Sequence, residues 1–253
     1  MLRDYLPPVL NKELFGDRAK YGQKPMENDT DWKKWQSVYT SAYFSTQKSS
    51  SIQRFINNAG YKVLNGFAMA DKVVADLGPG NGYSIDYFDG KPKSYVAVDV
   101  CEEFFPIVAE KCEKASIDFS ALKVRADHPV IELPPESLDC FVSFYSLEHI
   151  HPLKAWLDEI FSKVKPGGYL IGAIPAEGGV GWALGRMMTS KGILKRRYGL
   201  DIRKIVCWEH PNMCDEILAN LSSYGRFSKL TTWPARRFPY DLSLIIRFAV
   251  QKN

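Results

Sequence analysis

Cysteines are few in this sequence, and they are scattered. Among 253 residues there are five, and no two form a Cys-x-x-Cys pair. An odd, dispersed set argues against a disulfide framework. It also argues against a structural zinc site, which needs four ligands at close paired spacing. We therefore expect buried thiols in a protein of the reducing cytoplasm.

Long hydrophobic runs are also missing. No apolar run approaches the roughly 18 residues that indicate a membrane span. Residues 1–8 contain an acid and two prolines where a secretory signal needs an apolar stretch. With 45% hydrophobic residues and a net charge of only +4, the chain is not predominantly disordered. These features favour a folded cytoplasmic protein over a membrane or secreted one.

The middle of the chain alternates short β-rich runs with segments of helical period. The five predicted strands are Lys72–Leu77, Ser94–Val100, Leu122–Ala126, Leu138–Ser146 and Tyr169–Pro175. Helical patterns follow Gly82 and occur near Pro106–Ala115 and Leu153–Val164. Alternation of this kind predicts an α/β fold, with a mostly parallel sheet and helices on both faces.

The two ends of the chain have other patterns, and we interpret residues 1–253 as one domain. Residues 1–50 form an N-terminal helical extension, in which Tyr43 and Phe44 are candidates for a lid. The core of alternating strands and helices covers residues 70–175, and residues 176–210 form an inserted cap. Residues 211–253 supply a C-terminal helix and a closing pair of strands, and their predicted ranges are Asn212–Leu221, Lys229–Trp233 and Leu242–Val250.

A glycine-rich loop follows the first predicted strand directly. It reads Asp76-Leu77-Gly78-Pro79-Gly80-Asn81-Gly82, so its spacing is Gly-x-Gly-x-Gly. A dinucleotide site would need a third glycine at position 83, which is tyrosine. Glycines let the backbone approach a ligand closely. The Asp76 carboxylate can accept a hydrogen bond from a ligand ammonium group, whereas it would repel a pyrophosphate.

Two further acidic residues end the next two strands. Asp99, with Val100 beside it, can accept hydrogen bonds from both hydroxyls of a ribose. Asp127, with His128 beside it, can accept a hydrogen bond from the exocyclic amine of a base. Acceptors for an ammonium, a ribose and an adenine in successive loops describe one ligand, S-adenosylmethionine.

These residues carry a resemblance to the class I S-adenosylmethionine-dependent methyltransferases. Residues 74–82 resemble the first motif of that family, 96–99 the second and 125–127 the adenine loop. Residues 138–149 are similar to the fourth strand and the loop beneath the cofactor, and 164–170 to the turn into strand five. The resemblance implies a Rossmann-like sheet of seven strands, the last antiparallel. It also implies that Phe144, Tyr145 and Ser146 line the cofactor.

The loop after the fourth strand holds the candidates for catalysis. A hydroxyl acceptor benefits from a base that takes its proton, and Glu148, His149 and His151 are available, with His149 the best candidate. Some relatives carry Glu-x-x-Glu-His here and bind a divalent ion. Tyr145 stands where the first glutamate of that motif would be, so we predict no metal.

Positive charge is concentrated in the cap. Between Arg186 and Lys204, seven residues are basic and one is acidic. Such a run is often a solvated face, but arginines also recognise phosphate groups. We expect Arg186, Arg196 and Arg197 to bind an anionic acceptor.

The predicted reaction is O-methylation of a small or saccharide-type molecule, which could be phosphorylated or lipid-linked. An RNA substrate is an alternative, because it would use the same residue types. A third alternative is a scaffold protein that binds the cofactor without catalysis.

Overall fold

A seven-stranded sheet forms the centre of the protein. The computed structural model describes residues 1–26, 28–37, 51–187 and 198–253, without the side chains of 51–54 and 202. The strands are β1 (Val73–Leu77), β2 (Ser94–Asp99), β3 (Asp118–Lys123), β4 (Leu138–Phe144), β5 (Val164–Pro175), β6 (Gly225–Trp233) and β7 (Ile245–Lys252). Their order in the sheet is β3-β2-β1-β4-β5-β7-β6. Neighbours among β1–β5 pair in parallel, and β7 is antiparallel to both β5 and β6. The predicted Rossmann-like fold class, with its last strand antiparallel, is confirmed.

The helices lie around this sheet. In chain order they are α1 (Pro8–Phe15), α2 (Arg18–Tyr21), α3 (residues 30–37), α4 (Ser51–Tyr61), α5 (Phe105–Lys114), α6 (Leu153–Lys163), α7 (Val180–Arg186), α8 (Ile202–Glu209) and α9 (Cys214–Leu221). The segment after Gly82, predicted as a helix, is only a short 3-10 turn, Tyr83–Tyr87.

The third strand is the element whose position differs most from its prediction. The expected range was Leu122–Ala126, but β3 covers Asp118–Lys123. Its pairing with β2 begins at Asp118, opposite Ser94. Because β3 lies at the edge of the sheet, its residues are only half-buried or exposed. Its polar composition therefore lacks the apolar run that marks a central strand.

Two layers of apolar side chains cover the two faces of the sheet. Ala75, Phe141 and Leu170 point to the face that packs against α6 and α9. Val74 and Val142, which alternate with them along the strands, pack with residues just after α4 on the other face. Burial on both faces explains why the central strands are nearly continuous in hydrophobic residues.

The N-terminal segment packs against the residues that follow β5. Arg18 donates from Nη1 to the carbonyl oxygen of Pro211 and from Nη2 to that of His210, at 2.5 and 2.7 Å. Lys204 on α8 contacts Asp29 and Asp31 at 2.7 and 2.8 Å. The N-terminal segment thus holds α8 and the residues after it in place over the carboxyl end of the sheet.

Within the described ranges, no helix is long and apolar enough to cross a membrane. All five cysteines are free thiols, and four of them are buried. Their buried state agrees with the interpretation made from their spacing.

Candidate active site

Two loops meet at the point where the strand order of the sheet reverses. β1 continues into the glycine loop and β4 into residues 145–152, and the connections from these strands lead to opposite sides. In open α/β sheets, ligands bind at such a point, beyond the carboxyl ends of the strands. Gly78 has φ = +69°, and a Cβ added there would lie 2.3 Å from Oγ of Ser146. The absence of a side chain at Gly78 therefore lets the two loops touch.

Asp76 lies at the base of this junction and is 1% exposed. Its Oδ2 accepts hydrogen bonds from Ser84 Oγ and Tyr95 OH, both at 2.6 Å. Its Oδ1 is buried and has no hydrogen-bond partner among the described residues. Burial raises the pKa of Asp76 to about 6, although its two hydroxyl donors lower it. The free oxygen is an acceptor in the position where the sequence predicted one for an ammonium group.

Asp99 ends β2 beside the same loop, since Gly78 N donates to Val98 O at 2.9 Å. The backbone amide of Cys101 donates to Oδ1 of Asp99 at 2.9 Å, which holds the carboxylate at the strand end. Burial raises the pKa of Asp99 to about 6, against the lowering effect of its backbone donors. Val100, next in the chain, is 51% exposed.

Asp127 and His128 are both exposed in the loop after β3. The Arg125 guanidinium donates to both carboxylate oxygens of Asp127, at 3.1 and 3.0 Å. This hydrogen-bonded pair holds the pKa of Asp127 below its usual range. The adenine-binding role of this loop stays a prediction.

Tyr145 directs its side chain away from the glycine loop. Its backbone is left-handed, with φ = 58°, a strained conformation that clusters at functional turns. Its hydroxyl donates to the carbonyl oxygen of Asn57 at 2.7 Å. A Cβ at Gly60 would collide with that hydroxyl. Phe144 contacts the ring of Tyr61 at a centroid distance of 4.5 Å, so both aromatic residues join this loop to α4.

Glu148 and His149 lie on the side of this loop that faces α8. Nδ1 of His149 lies 2.7 Å from the carbonyl oxygen of Glu209 and must donate to it, because a carbonyl only accepts. Nε2 of His149 is 3.8 Å from Oε1 of Glu148. Burial raises the pKa of Glu148 to about 7 and lowers the pKa of His149 to about 3. His149 is therefore a neutral imidazole at physiological pH.

A second polar group, from the cap, completes this cluster. Glu177 follows β5 and is 1% exposed. Nδ1 of His210 donates to it at 2.8 Å, Trp182 Nε1 at 2.9 Å, and Arg186 Nη1 at 2.7 Å. Burial alone would raise the pKa of Glu177, but Arg186 and His210 hold it below its ordinary value. The rings of His149 and His210 meet edge to face, 4.6 Å apart.

The structure brings together most, but not all, of the predicted site residues. The glycine loop with Gly80, Gly82 and Pro79 lies at the β1 junction, and Glu148 and His149 lie beyond β4. His151 is half-buried, and burial together with the Lys24 ammonium lowers its pKa. Arg186 is only 11% exposed and is directed at Glu177. Arg196, Arg197, Tyr43 and Phe44 lie outside the described residues.

Sequence reasoning missed the residues that the cap contributes, Glu177, Glu209 and His210. The only sequence feature that could have drawn attention to one of them, His210, is the small number of histidines in the chain. The sequence has four histidines, and two of them meet in this cluster.

Comparison with known proteins agrees with this geometry. Residues 75–172 match the family model described as a methyltransferase domain. None of the proteins with curated functions matches the chain at a significant level.

Three solved structures illustrate the likeness of the fold. An S-adenosylmethionine-dependent methyltransferase from Aquifex aeolicus is 19% identical, with a TM-score of 0.50, over 76% of this chain and 88% of that one. One from Mesorhizobium loti is 14% identical, with a TM-score of 0.52, over 76% of this chain and 95% of that one. A Thermotoga maritima protein described as a possible histamine N-methyltransferase is 14% identical, with a TM-score of 0.56, over 88% and 100%. At these identities the likeness concerns the fold.

The fold, the motifs in their expected order and the family match define a class I S-adenosylmethionine-dependent methyltransferase. The residues present fit the cofactor, because Asp76 keeps a buried free acceptor and Gly78 leaves the junction open to a ligand. S-adenosylmethionine supplies an electrophilic methyl group when bound. The protein holds it, orients the acceptor and excludes water.

Proposed function

We propose that this enzyme methylates a hydroxyl group of a small or saccharide-type acceptor that carries negative charge, and that it acts in the cytoplasm. The observation that carries the proposal is the cluster of Glu148, His149, Glu209 and His210 beside the loop after β4. His149 is three residues from Ser146, which meets the glycine loop. Proton-accepting groups therefore lie next to the cofactor site.

Those groups suit an acceptor that must lose a proton. In O-methylation, the oxygen–carbon bond forms as the sulfur–carbon bond breaks, and the hydroxyl proton passes to a base. His149 is neutral and its Nδ1 is already donating to a carbonyl, so Nε2 carries the lone pair. Glu148 lies beside it, and His151 follows in the same loop. We assign the proton-accepting role to this loop. Glu148, whose pKa burial raises to about 7, is the first candidate, because burial lowers the pKa of His149 to about 3 and leaves it a weaker base.

The basic segment of the cap supports an anionic acceptor. Arg196 and Arg197 belong to the run between Arg186 and Lys204 that is rich in positive charge. The Arg186 guanidinium already donates to Glu177 and to the carbonyl oxygen of Leu14. Its role is therefore to hold α7 in place, and it does not bind the acceptor's negative charge directly. In this proposal Arg196 and Arg197 contact the acceptor's phosphate or carboxylate groups.

The test is transfer of radiolabelled methyl from S-adenosylmethionine into a fractionated extract of the source cells. Lipid, small soluble, saccharide, RNA and protein fractions are counted separately. Label in the saccharide, lipid or small soluble fraction is the expected result. RNase-sensitive label would replace this proposal with RNA methylation, and a protein that binds cofactor without labelling any fraction would favour a scaffold.

Charge reversal then tests the role of the basic segment. The double variant Arg196→Glu and Arg197→Glu should raise KM for the labelled acceptor at least about tenfold, since charge-assisted contacts contribute about 1.5–3 kcal/mol each. Reversal of Lys62, an exposed residue outside the basic segment, serves as the control. Unchanged acceptor use in the double variant would contradict the anionic-acceptor proposal.

A further inference from the structure

The imidazoles of His149 and His210 each form a hydrogen bond through Nδ1 to an oxygen acceptor. His149 donates from Nδ1 to the carbonyl oxygen of Glu209, and His210 donates from Nδ1 to the carboxylate of Glu177. Each ring is thereby held through its Nδ1, so in the neutral imidazole Nε2 carries the lone pair and can bind a cation. The two rings meet edge to face, with 4.6 Å between their centroids, so both imidazoles lie close enough to reach one ion.

The carboxylate of Glu209 lies next to these two imidazoles. Ligand atoms from His149, Glu209 and His210 all lie within 4.8 Å of one another. Ligands at about 2.1 Å from a metal ion lie about 3–4 Å apart, so small side-chain rotations bring all three onto one ion. The three residues come from two elements that tertiary packing brings together.

The charges around the group favour a cation. Glu177 is neutralised by Arg186, but the ion pairs of the described residues give Glu148 only the imidazole of His149. Glu148 is 2% exposed, and its Oε2 has no hydrogen-bond partner among the described residues. A buried carboxylate in this state is costly unless a cation or a donor meets it. A divalent ion would supply the missing positive charge.

We propose that the protein binds one divalent first-row transition ion through Nε2 of His149, Nε2 of His210 and the carboxylate of Glu209. The Glu209 carbonyl and Glu177 then act as the outer acceptors that metal-binding histidines commonly have. Imidazole and carboxylate ligands suit Zn²⁺, Mn²⁺ and Co²⁺. The prediction of no metal was based on Tyr145, and this ligand set does not use position 145.

The site has a consequence for the proton transfer. With Nε2 of His149 on the ion, the proton of the acceptor hydroxyl passes to Glu148, whose Oε1 is 3.8 Å from that nitrogen. Binding of the ion does not depend on which acceptor the enzyme uses. It can therefore be measured without any methyl transfer.

The experiment is a titration of the full chain with Co²⁺ after removal of metals by a chelator. Ligand-field absorption and calorimetry report the binding, and Zn²⁺ is added last as a competitor. The expected result is one Co²⁺ per chain, displaced by Zn²⁺. Failure to bind Co²⁺ at millimolar concentration, by a chain that is folded by circular dichroism, would overturn the proposal whatever its methyltransferase activity.

Variants locate the ion. His149→Ala, His210→Ala and Glu209→Gln should each weaken Co²⁺ binding at least about 100-fold, because even outer-sphere partners contribute 10–100-fold. Glu209→Gln keeps the shape of the side chain, so it remains informative if a histidine variant fails to fold. His151→Ala is the matched control and should bind normally. Equal affinity in Glu209→Gln and wild type would overturn this ligand set.

Discussion

Oγ of Ser146 occupies the space that a side chain at Gly78 would need, at 2.3 Å from the position of a Cβ. This contact joins the loop after β1 to the loop after β4, and these two loops frame the proposed cofactor site. The close approach requires both the missing Cβ and the left-handed backbone of Gly78, at φ = +69°. The requirement makes Gly78 the residue at which the junction can be tested most directly.

Gly78→Ala should weaken S-adenosylmethionine binding at least about tenfold and lower stability by about 1–2 kcal/mol or more. A left-handed backbone costs a non-glycine residue about that amount before any clash, and the new methyl group would push Ser146 aside. Calorimetric titration with S-adenosylmethionine and thermal unfolding measure the two effects.

Gly167→Ala is the matched control for this substitution. Gly167 has φ = +75°, and an added Cβ would meet nothing within 4 Å. It should therefore show the backbone cost alone, with normal cofactor binding. Adding Ser146→Gly to Gly78→Ala should restore part of the lost affinity by removing the clash. If the double variant is no better than Gly78→Ala, the contact with Ser146 is not what limits this position.

Binding of S-adenosylmethionine should depend on the ionisation of Asp99. Its pKa is raised to about 6 by burial, and ribose hydroxyls donate to the charged form. Affinity should thus be constant above pH 7 and fall as the pH drops through 6, approaching tenfold per pH unit. Calorimetry between pH 5 and 8 gives the profile.

Asp99→Asn separates this dependence from that of its neighbour. Asp76 has a pKa of about 6 as well, so part of the pH profile could come from that residue. The Asn variant should bind more weakly at pH 8 and show a shallower slope below pH 6. An unchanged slope would mean that Asp99 does not contact the cofactor as predicted.

Tyr95 supports the buried charge of Asp76, and its removal should have a cost that depends on pH. Tyr95→Phe deletes a 2.6 Å hydrogen bond to a carboxylate that is fully ionised only above its raised pKa of about 6. At pH 8 the free energy of unfolding should fall by about 1–3 kcal/mol. At pH 5 Asp76 is protonated in the folded state, so the loss should be smaller. Urea unfolding at both pH values measures it.

Tyr5→Phe is the control, because Tyr5 is 87% exposed. It should leave the free energy of unfolding unchanged at either pH. An equal loss for Tyr95→Phe at pH 5 and pH 8 would show that the hydroxyl serves packing rather than the charge of Asp76.

The residues of the proposed cofactor site were accessible to sequence reasoning because each directly follows a predicted strand. Gly78 and Asp99 directly follow buried strands, and parallel strands bring their carboxyl ends to one edge of a sheet. Strand pattern and loop position therefore located these residues together. The edge strand β3 was displaced in the prediction because its pairing, rather than its apolar content, determines where it begins.

The polar cluster next to the loop after β4 could be predicted only in part. Glu148 and His149 follow β4 directly, but Glu177 follows β5 and His210 follows α8. They meet because Arg186 and Arg18 anchor the cap to the N-terminal segment, with hydrogen bonds to Glu177, Leu14 and His210. Such convergence depends on long-range packing, and no spacing along the chain indicates it.

The buried pair of Arg186 and Glu177 holds this side of the molecule together. Arg186→Met would leave the Glu177 carboxylate, 1% exposed, without its guanidinium, and the free energy of unfolding should fall by about 3–5 kcal/mol. Glu177→Gln combined with Arg186→Met should recover most of that loss, because the uncompensated charge is gone. Arg203→Met is the control: its ion pairs are exposed, so it should cost less than about 1 kcal/mol. Were Arg186→Met to unfold like Arg203→Met in urea while acceptor KM rose sharply, Arg186 would be a substrate-binding residue rather than a structural one.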